Sequence, residues 1–546
     1  MHAGLRRIVA WCLVVLSTAS GCTNPVQYVR NGFKVGPNYA TPPAPVAQNW
    51  IDAADTRVRN DGENPTLWWR VFEDPLLDRL MWDASRQNLT LREAGFRILQ
   101  SRAQLGIAVG EFFPQQQNAD GGYSRIGVAD NFFDSWNFGF NLGWELDFWG
   151  RFRRAITAAE DDLDASVFNY DAVLVTLLGD VASAYVQVRT DQERIRLLNR
   201  IVGIQQNVLT FINDQLRVGF GGVTDVDRAQ AESNLKQSLA QIANLEIGIR
   251  INQNRLCTLL GIPTQDIDAY LNSGPKTGIP KTPDYVVVGM PADLLRRRPD
   301  VRRTERLAAA QGEQIGIAEA DFYPAFFISG TLGWQASRLP DLFTPQGFNS
   351  NIGPSFQWQL LHYGRIINNV CLQDARFQEL VVAYQNSVLR ADEEVENGII
   401  TFLRAQKRAK LLQESVESAY LALSVTLARY EKGIAGADFN RYAVIEQNLV
   451  VQQDQWAQAQ GQVAQGLIQV YRSLGGGWQI RCQSTPVSPI HQPEASASGA
   501  PAINAPAPEP AAPQPNPATP QPVVPQPAPA GPRLLPPPPE EVPLPN

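Results

Sequence analysis

The residue best placed for covalent chemistry is Cys22, which closes Ala19-Ser20-Gly21-Cys22 shortly after an apolar run from Ile8 to Leu16. Arg6 and Arg7 precede that run, so charge, apolar core and small residues follow one another as in a secretory signal over residues 1–21. The run falls short of the roughly 20 apolar residues that a spanning helix needs. The small-residue stretch has the form of a bacterial lipobox, in which the cysteine thiol takes a diacylglycerol thioether and becomes the mature N-terminus. Leucine is usual where Ala19 stands, and Thr23 is not the aspartate that commonly retains lipoproteins in the inner membrane. An ordinary cleaved signal with an incidental cysteine is the alternative. Cys257, Cys371 and Cys482 are scattered and odd in number, which indicates neither a disulfide framework nor a Cys-x-x-Cys metal site.

Other catalytic chemistry is not written in this chain. The only histidines are His2, His362 and His491, so no His-x-x-x-His zinc pair exists. No Gly-Lys-Ser/Thr closes a phosphate loop and no Gly-x-Ser-x-Gly elbow occurs. The 44% apolar content is that of a folded chain, and a net charge of −7 gives no reason to expect nucleic acid. No enzyme activity, metal or cofactor is expected beyond a covalent lipid on Cys22.

The elements that organise the 546 residues are duplicated, which displaces the ordinary expectation of three or four domains. Phe112-Phe113-Pro114 answers Phe322-Tyr323-Pro324, Phe148-Trp149-Gly150-Arg151 answers His362-Tyr363-Gly364-Arg365, Gly219 answers Gly433, and Asn234-Leu235 answers Asn448-Leu449. Steps of seven from Val167 meet Leu174, Val181, Val188, Ile195, Val202, Leu209 and Leu216; from Val381 they meet Val388, Val395, Phe402, Ala409, Val416, Leu423 and Tyr430. Sustained apolar heptads mean helices packed along a seam. Long helices are expected over residues 151–218 and 365–432, each on the order of 100 Å at 1.5 Å per residue. Glycine-containing turns follow, and the chain returns over 223–260 and 438–474. Shorter helices are expected over 74–112 and 292–322.

Between each proline and each aromatic-Gly-Arg site the period changes to two. Phe138, Phe140, Leu142, Trp144, Leu146 and Phe148 alternate with Asn137, Gly139, Asn141, Gly143, Glu145 and Asp147. Ile352, Phe356, Trp358 and Leu360 form the matching row in the second copy. Hairpins over 115–149 and 325–362 therefore present one apolar and one polar face. Beside helices longer than any compact domain, the apolar face is read as lipid-facing, with Phe138, Phe140, Leu142, Trp144, Phe356 and Trp358 outward. Four strands cannot close a membrane barrel, which takes about eight at least, so several chains must share one. Residues 479–546 are rich in Pro and Ala and read as an extended tail: a spacer, a cell-wall-reaching tether, or simply solvated disorder.

These motifs resemble the outer membrane factor family, the TolC and OprM type of efflux lipoprotein. The resemblance runs from about Cys22 to Trp478. It is carried by Val35-Gly36-Pro37-Asn38-Tyr39, Trp68-Trp69 with Phe72-Glu73-Asp74-Pro75-Leu76, Trp144 to Arg151, Arg297-Arg298-Pro299-Asp300-Val301-Arg302 with Glu305, and Leu474 to Trp478. It implies a mainly helical chain with membrane β-structure, four strands per protomer in a twelve-stranded barrel shared by a homotrimer, and a long periplasmic helical tunnel. It also implies an equatorial belt built from residues 22–73, the inter-repeat segment 263–291 and residues near Trp478, flanking repeats over 74–262 and 292–478. The place implied is the outer membrane. The partners implied are a periplasmic adaptor and an inner-membrane transporter of the RND type. Adaptor contacts map to Gly219, Gly222 and Thr224 and to Gly433 and Gly436. The family's acidic constriction maps less directly: Asp438 is the candidate gate, Arg441 its candidate partner and Glu446 the next acidic residue, against the alternative that Asp438 simply caps a helix. The competing function is a lipid-anchored, periplasm-spanning coiled-coil tether without transport, which would need no polar row facing a lumen.

Overall fold

Several helix starts carry a side chain that satisfies otherwise orphaned backbone donors, and these caps set the element boundaries. In the computed structural model, which describes residues 25–59, 66–128, 131–219, 223–273, 278–293, 297–432 and 438–482, Asp74 accepts from the amides of Leu76 and Leu77 and opens α1 (Pro75–Gln87). Asn88 then ends α1 and accepts from the Leu91 amide to open α2 (Leu89–Glu111). The single helix expected over 74–112 is thus two helices broken at an asparagine cap. The first hairpin pairs β1 (Gln116–Val128) with β2 (Asn131–Leu146). It leads through the left-handed Gly150 into α3 (Arg151–Val218) and then α4 (Asp225–Leu259).

The second repeat runs α5 (Pro299–Ala320), β3 (Ala325–Ala336), β4 (Phe348–Gln357), α6 (Arg365–Glu431) and α7 (Phe439–Ser473). Three boundaries correct the sequence reading. Helix α5 starts at Pro299, where proline has no amide to satisfy, and not at residue 292. Strand β4 ends at Gln357, so Trp358 is not a strand residue. The folded part continues past residue 479: a short 3-10 turn over Trp478–Cys482 buries Ile480 and ion-pairs Arg481 with Asp171 at 2.7 Å. The signal with Cys22, the tips Gly222, Gly433 and Gly436, and the tail from residue 483 lie outside the described residues.

The four strands form one antiparallel sheet in the order β1-β2-β3-β4. Directly opposed residues share a face, so the register sorts them. Phe138 faces Trp334, Phe140 faces Leu332, Trp144 faces Ile328 and Phe326 faces Phe356, whereas Asn137 faces Gln335, Asn118 faces Asn141, and Thr331 faces both Asn141 and Asn351. The apolar face is a continuous exposed surface that includes Phe140, Leu332, Phe348, Ile352 and Phe356, which water would not tolerate at that size.

Two core clusters hold the helices. The larger gathers Trp68, Trp69, Phe72, α1, the middle of α3 and the facing stretches of α6 and α7; the smaller lies toward the hairpin ends around Ile201, Ile212, Leu423, Tyr442 and Leu449. Leu174, Val181, Val188 and Val202 from the first heptad row are buried, as are Val388, Val395, Phe402 and Leu423 from the second. One stretch of α3 is apolar enough to cross a bilayer, yet 67% of it is buried within the fold, so α3 is a core helix.

The sheet reading has a direct test. Phe140 lies mid-strand, so Phe140→Arg is expected to cost about 2 to 4 kcal/mol and lower the amount of assembled protein in the membrane. Phe356 is the penultimate residue of its strand, so Phe356→Arg is expected to cost only about 0 to 1 kcal/mol. Asn141→Arg, on the polar face, is expected to assemble normally and change single-channel conductance. Equal effects on both faces, read by heat-resistant oligomer on gels, would make the sheet a soluble core.

Candidate functional site

Three parts of the chain gather its polar and charged features: the polar sheet face, the junction where sheet passes into helix, and the hairpin ends. On the polar face Asn141 donates to the Asp120 carboxylate and Gln335 donates to the Ser135 hydroxyl at 3.1 Å. These side chains hydrogen-bond across strands while remaining wettable.

At the junction, both repeats use the same device. Trp144 donates its indole N–H to the Phe112 carbonyl at 3.3 Å, and Trp358 donates to the Phe322 carbonyl at 2.9 Å. Each indole pins the end of a repeat's second strand to the helix that leads into its first strand. Trp358 therefore stands as an interfacial clamp beyond its strand, and Trp144 combines this bond with a place on the apolar face. Beneath them lies a buried ion pair that nothing in the chain's periodicity announces. Arg154 is fully buried, and its guanidinium donates to Glu313 at 2.6 Å, to the Val35 carbonyl at 2.6 Å and to the Gly36 carbonyl at 2.9 Å. Each of its three guanidinium nitrogens donates to a fixed acceptor, the condition under which a buried charge is tolerable. The Val35-Gly36 stretch is thereby a strap across α3 and α5: a Cβ on Gly36 would lie 2.7 Å from the Gly316 Cα.

The belt around the helices explains other motifs. Arg298 grips Asp300 through two bonds, Glu394 at 2.8 Å and the Ser473 carbonyl at 2.7 Å, tying the start of α5 to α6 and the end of α7. Trp68 stacks on Tyr471 with ring centroids 5.8 Å apart. Gly477, at φ 103°, packs where a Cβ would meet Leu178 at 2.8 Å, so only glycine fits. Val58 and Arg59 pair in parallel with Val286 and Val287, joining the N-terminal and inter-repeat segments.

At the first tip, Gly219 caps α3 in the left-handed conformation at φ 71°. Thr224 opens α4 with a reciprocal capping box to Asp227. At the second tip, Asp438 is exposed and its carboxylate accepts from the Arg441 backbone amide at 2.8 Å, so it is a helix cap. Glu446 lies two turns further along α7 and is 2% exposed. Gln205 from α3, Asn234 from α4 and Tyr442 from its own helix surround its carboxyl. Among the described residues, no donor reaches Glu446 Oε1 in hydrogen-bonding geometry, and Asn234 Nδ2 and Gln205 Oε1 are likewise unmatched. Burial outweighs these three neighbours and raises the Glu446 carboxyl to about 7. Asp438 and Glu446 are thus in different settings, one wet and one dry. Gln205, missed as a site residue, stands three places after Val202 of the heptad row where an apolar partner is usual, as does Asp191 after Val188; Asp191 pairs with Arg194 at 3.0 Å while Arg194 also holds Asp454 at 2.6 Å. Arg154 had no such signal, because the duplicate position is Asn368.

An open four-stranded membrane sheet, polar on one side and continued by paired coiled-coil hairpins, defines the subunit of an outer-membrane channel. Known proteins agree. A family model described as outer membrane efflux protein matches residues 80–262 and again 290–476, and the chain belongs to that family. The chain is similar to nodulation protein T of Rhizobium leguminosarum bv. trifolii, with 28% identity over 74% of this chain and 86% of that protein. It is similar to the pyoverdine export outer membrane protein OpmQ of Pseudomonas putida, with 29% identity over 76% of this chain and 88% of that protein. Among solved structures, the outer-membrane channel OprN matches with a TM-score of 0.76 and 28% identity, covering 82% of this chain and 99% of that one. The protein is an outer-membrane efflux channel, three copies of which close a twelve-stranded barrel, and not a periplasmic tether.

Glu446 makes the tip sensitive to pH. Its folded pKa lies above the ordinary carboxyl value, so the folded tip holds a proton that the unfolded chain releases. Stability is therefore full below about pH 4.5 and declines as pH rises toward 7. Glu446→Gln is expected to protect tip amides from hydrogen exchange more strongly than wild type at pH 8, and equally at pH 4. Protection that is the same at pH 8 would mean the carboxyl is solvated.

Proposed function

We propose that this channel is the exit duct of a tripartite system in which a periplasmic adaptor docks on the hairpin tips and an RND-type inner-membrane transporter supplies the energy. Small molecules then pass from periplasm and cytoplasm to the exterior without chemical change. The observation that carries the reading is the set of helix caps Gly219, Thr224 and Asp438, placed at the far end of helices that begin at the sheet. Gly219 has nothing within 4 Å of where a Cβ would lie, so a side chain there would meet no other described part of this chain. Gly222, Gly433 and Gly436 belong to the same docking proposal, and covalent lipid on Cys22 adds a membrane anchor that palmitate labelling tests.

Gly219→Trp is expected to leave oligomer and surface abundance unchanged while abolishing export, because its side chain meets the adaptor and not this chain. Full export at normal abundance would sink the docking reading. In wild-type cells, export that persists after the proton gradient is collapsed would rule out the RND class.

The gate proposal rests on symmetry. Three copies bring three exposed Asp438 carboxylates and three Arg441 side chains toward one axis, and like charges so placed repel unless partnered. Three pairs of about 0.5 kcal/mol each shift an opening equilibrium roughly tenfold. Asp438→Ala combined with Arg441→Ala is expected to raise closed-state conductance; unchanged conductance would move the constriction elsewhere.

A further inference from the structure

Lysine is scarce in this chain, seven residues among 47 basic ones, and three of the seven stand around one cavity. That cavity, of about 870 Å³, opens where the inter-repeat segment passes over α6 and α7. Lys281 lines it from the segment and Lys407 and Lys410 from α6, with Trp456 and Gln460 on the α7 side. The volume falls within the roughly 300 to 1,000 Å³ of small-molecule sites. The sheet, the junction and the hairpin ends all lie elsewhere.

The charges that line the cavity are unequally matched. Arg57 is already held by Asp55 through two bonds and by the Leu403 carbonyl, and Glu193 is held by Arg196 at 2.6 Å. Lys281, Lys407 and Lys410 are exposed, and none has a hydrogen bond or ion pair among the described residues. Against these three the lining sets one free acid, Asp284, so two positive charges are left over. The sequence supplies no counter-charge nearby. Arg404, Lys407, Arg408 and Lys410 fall within seven residues, and α6 carries no acid between Glu396 and Glu414. Like charges one turn apart destabilise a helix, so this stretch carries a cost that a bound anion would remove.

The neutral lining narrows the anion. Trp456 is half-buried and its indole N–H has no acceptor among the described residues, and the Gln460 amide and Thr282 hydroxyl are equally without partners there. An aromatic face with free polar groups beside it suits a ring that is apolar on its faces and hydroxylated at its edge. Lysines hold carboxylate or phosphate as point charges, without the planar fork that a free arginine would impose. Lys407 stands more than forty residues into α6, roughly 60 Å from the sheet at about 1.5 Å per residue, which puts membrane headgroups out of reach. We infer that this cavity is a binding site for an acidic saccharide: at least two sugar rings bearing carboxylate or phosphate, with one ring on Trp456 and the acid groups on Lys281, Lys407 and Lys410. Lys281 belongs to the belt and the other two lysines to α6, so the bound saccharide ties belt to helix beside Gln406, which reaches the Pro283 and Asp284 carbonyls at 3.4 and 3.3 Å.

The site stands apart from adaptor docking and from the gate, and binding alone tests it. Trigalacturonate titrated calorimetrically into the purified oligomer in detergent at low salt is expected to bind, and to release as salt is raised. Maltotriose, with rings but no charge, and triglutamate, with charge but no rings, are expected to bind roughly tenfold more weakly or worse. Lys407→Ala combined with Lys410→Ala, and separately Trp456→Leu, are each expected to weaken trigalacturonate binding roughly tenfold with heat-resistant oligomer unchanged. Lys236→Ala, at an exposed lysine of α4, is expected to bind as wild type does. Competition by polygalacturonate at equal uronate content would assign the source to a glycan polymer, and its failure to a soluble oligosaccharide. Wild-type protein that does not take up trigalacturonate, maltotriose or triglutamate that binds as tightly, or an intact oligomer of either variant with wild-type affinity would overturn the site.

Discussion

An unpaired backbone N–H or C=O in hydrocarbon costs several kcal/mol, and this chain brings a sheet of four strands with two outer edges. Everything else follows from closing those edges. A four-stranded sheet cannot curl onto itself, so closure needs further copies. Closure by rotation then places the polar face of every copy inward. It also sets the helices that follow each strand around the same axis, and a wall of long helices becomes a tunnel. The efflux role is a property of the closed assembly; no single chain contains a conduit.

A shared barrel requires that each chain hold its strands at a fixed angle to its helices before neighbours arrive. That rigidity resides in the junction. Trp144 and Trp358 bind strand ends to helix ends, and the Arg154 guanidinium gathers α3, α5 and the N-terminal strap into one buried network. Removing one member of such a network leaves an uncompensated charge in a dry site, at a cost of about 3 to 5 kcal/mol. The Val35-Gly36 motif thus has a structural meaning independent of lipid attachment: it lends two carbonyls to a charge that the repeats alone do not satisfy.

The periodic parts of this architecture were legible because periodicity is a direct trace of burial. Seven-residue spacing marked α3 and α6, two-residue spacing marked the sheet faces, and the duplicated aromatic-Gly-Arg sites located the passage from strand to helix. Features that depend on one contact across the fold left weaker traces. Arg154 sits in Arg151-Phe152-Arg153-Arg154, where its charge looks like that of an ordinary solvated helix start. Asn88 splitting one helix into two, and Ile480 extending the core beyond residue 479, depend on neighbours distant in the chain. Asp438 was ranked ahead of Glu446 from the sequence, and which of the two is wet and which dry was not legible there, since burial alone separates them.

That separation bears on how firmly the tip is packed. A surface cap such as Asp438 holds one backbone amide and is easily replaced by water, so movement there costs little. Glu446 is different: it is buried where α3, α4 and α7 meet, beside Gln205, Asn234 and Tyr442, next to the smaller core cluster. When it is charged, those neighbours must bear a carboxylate in a dry pocket, and the most direct relief is for the helices to part and admit water. When it is protonated the same groups can stay packed. A wet cap over a dry acid therefore ties the packing of the tip to the protonation of one carboxyl.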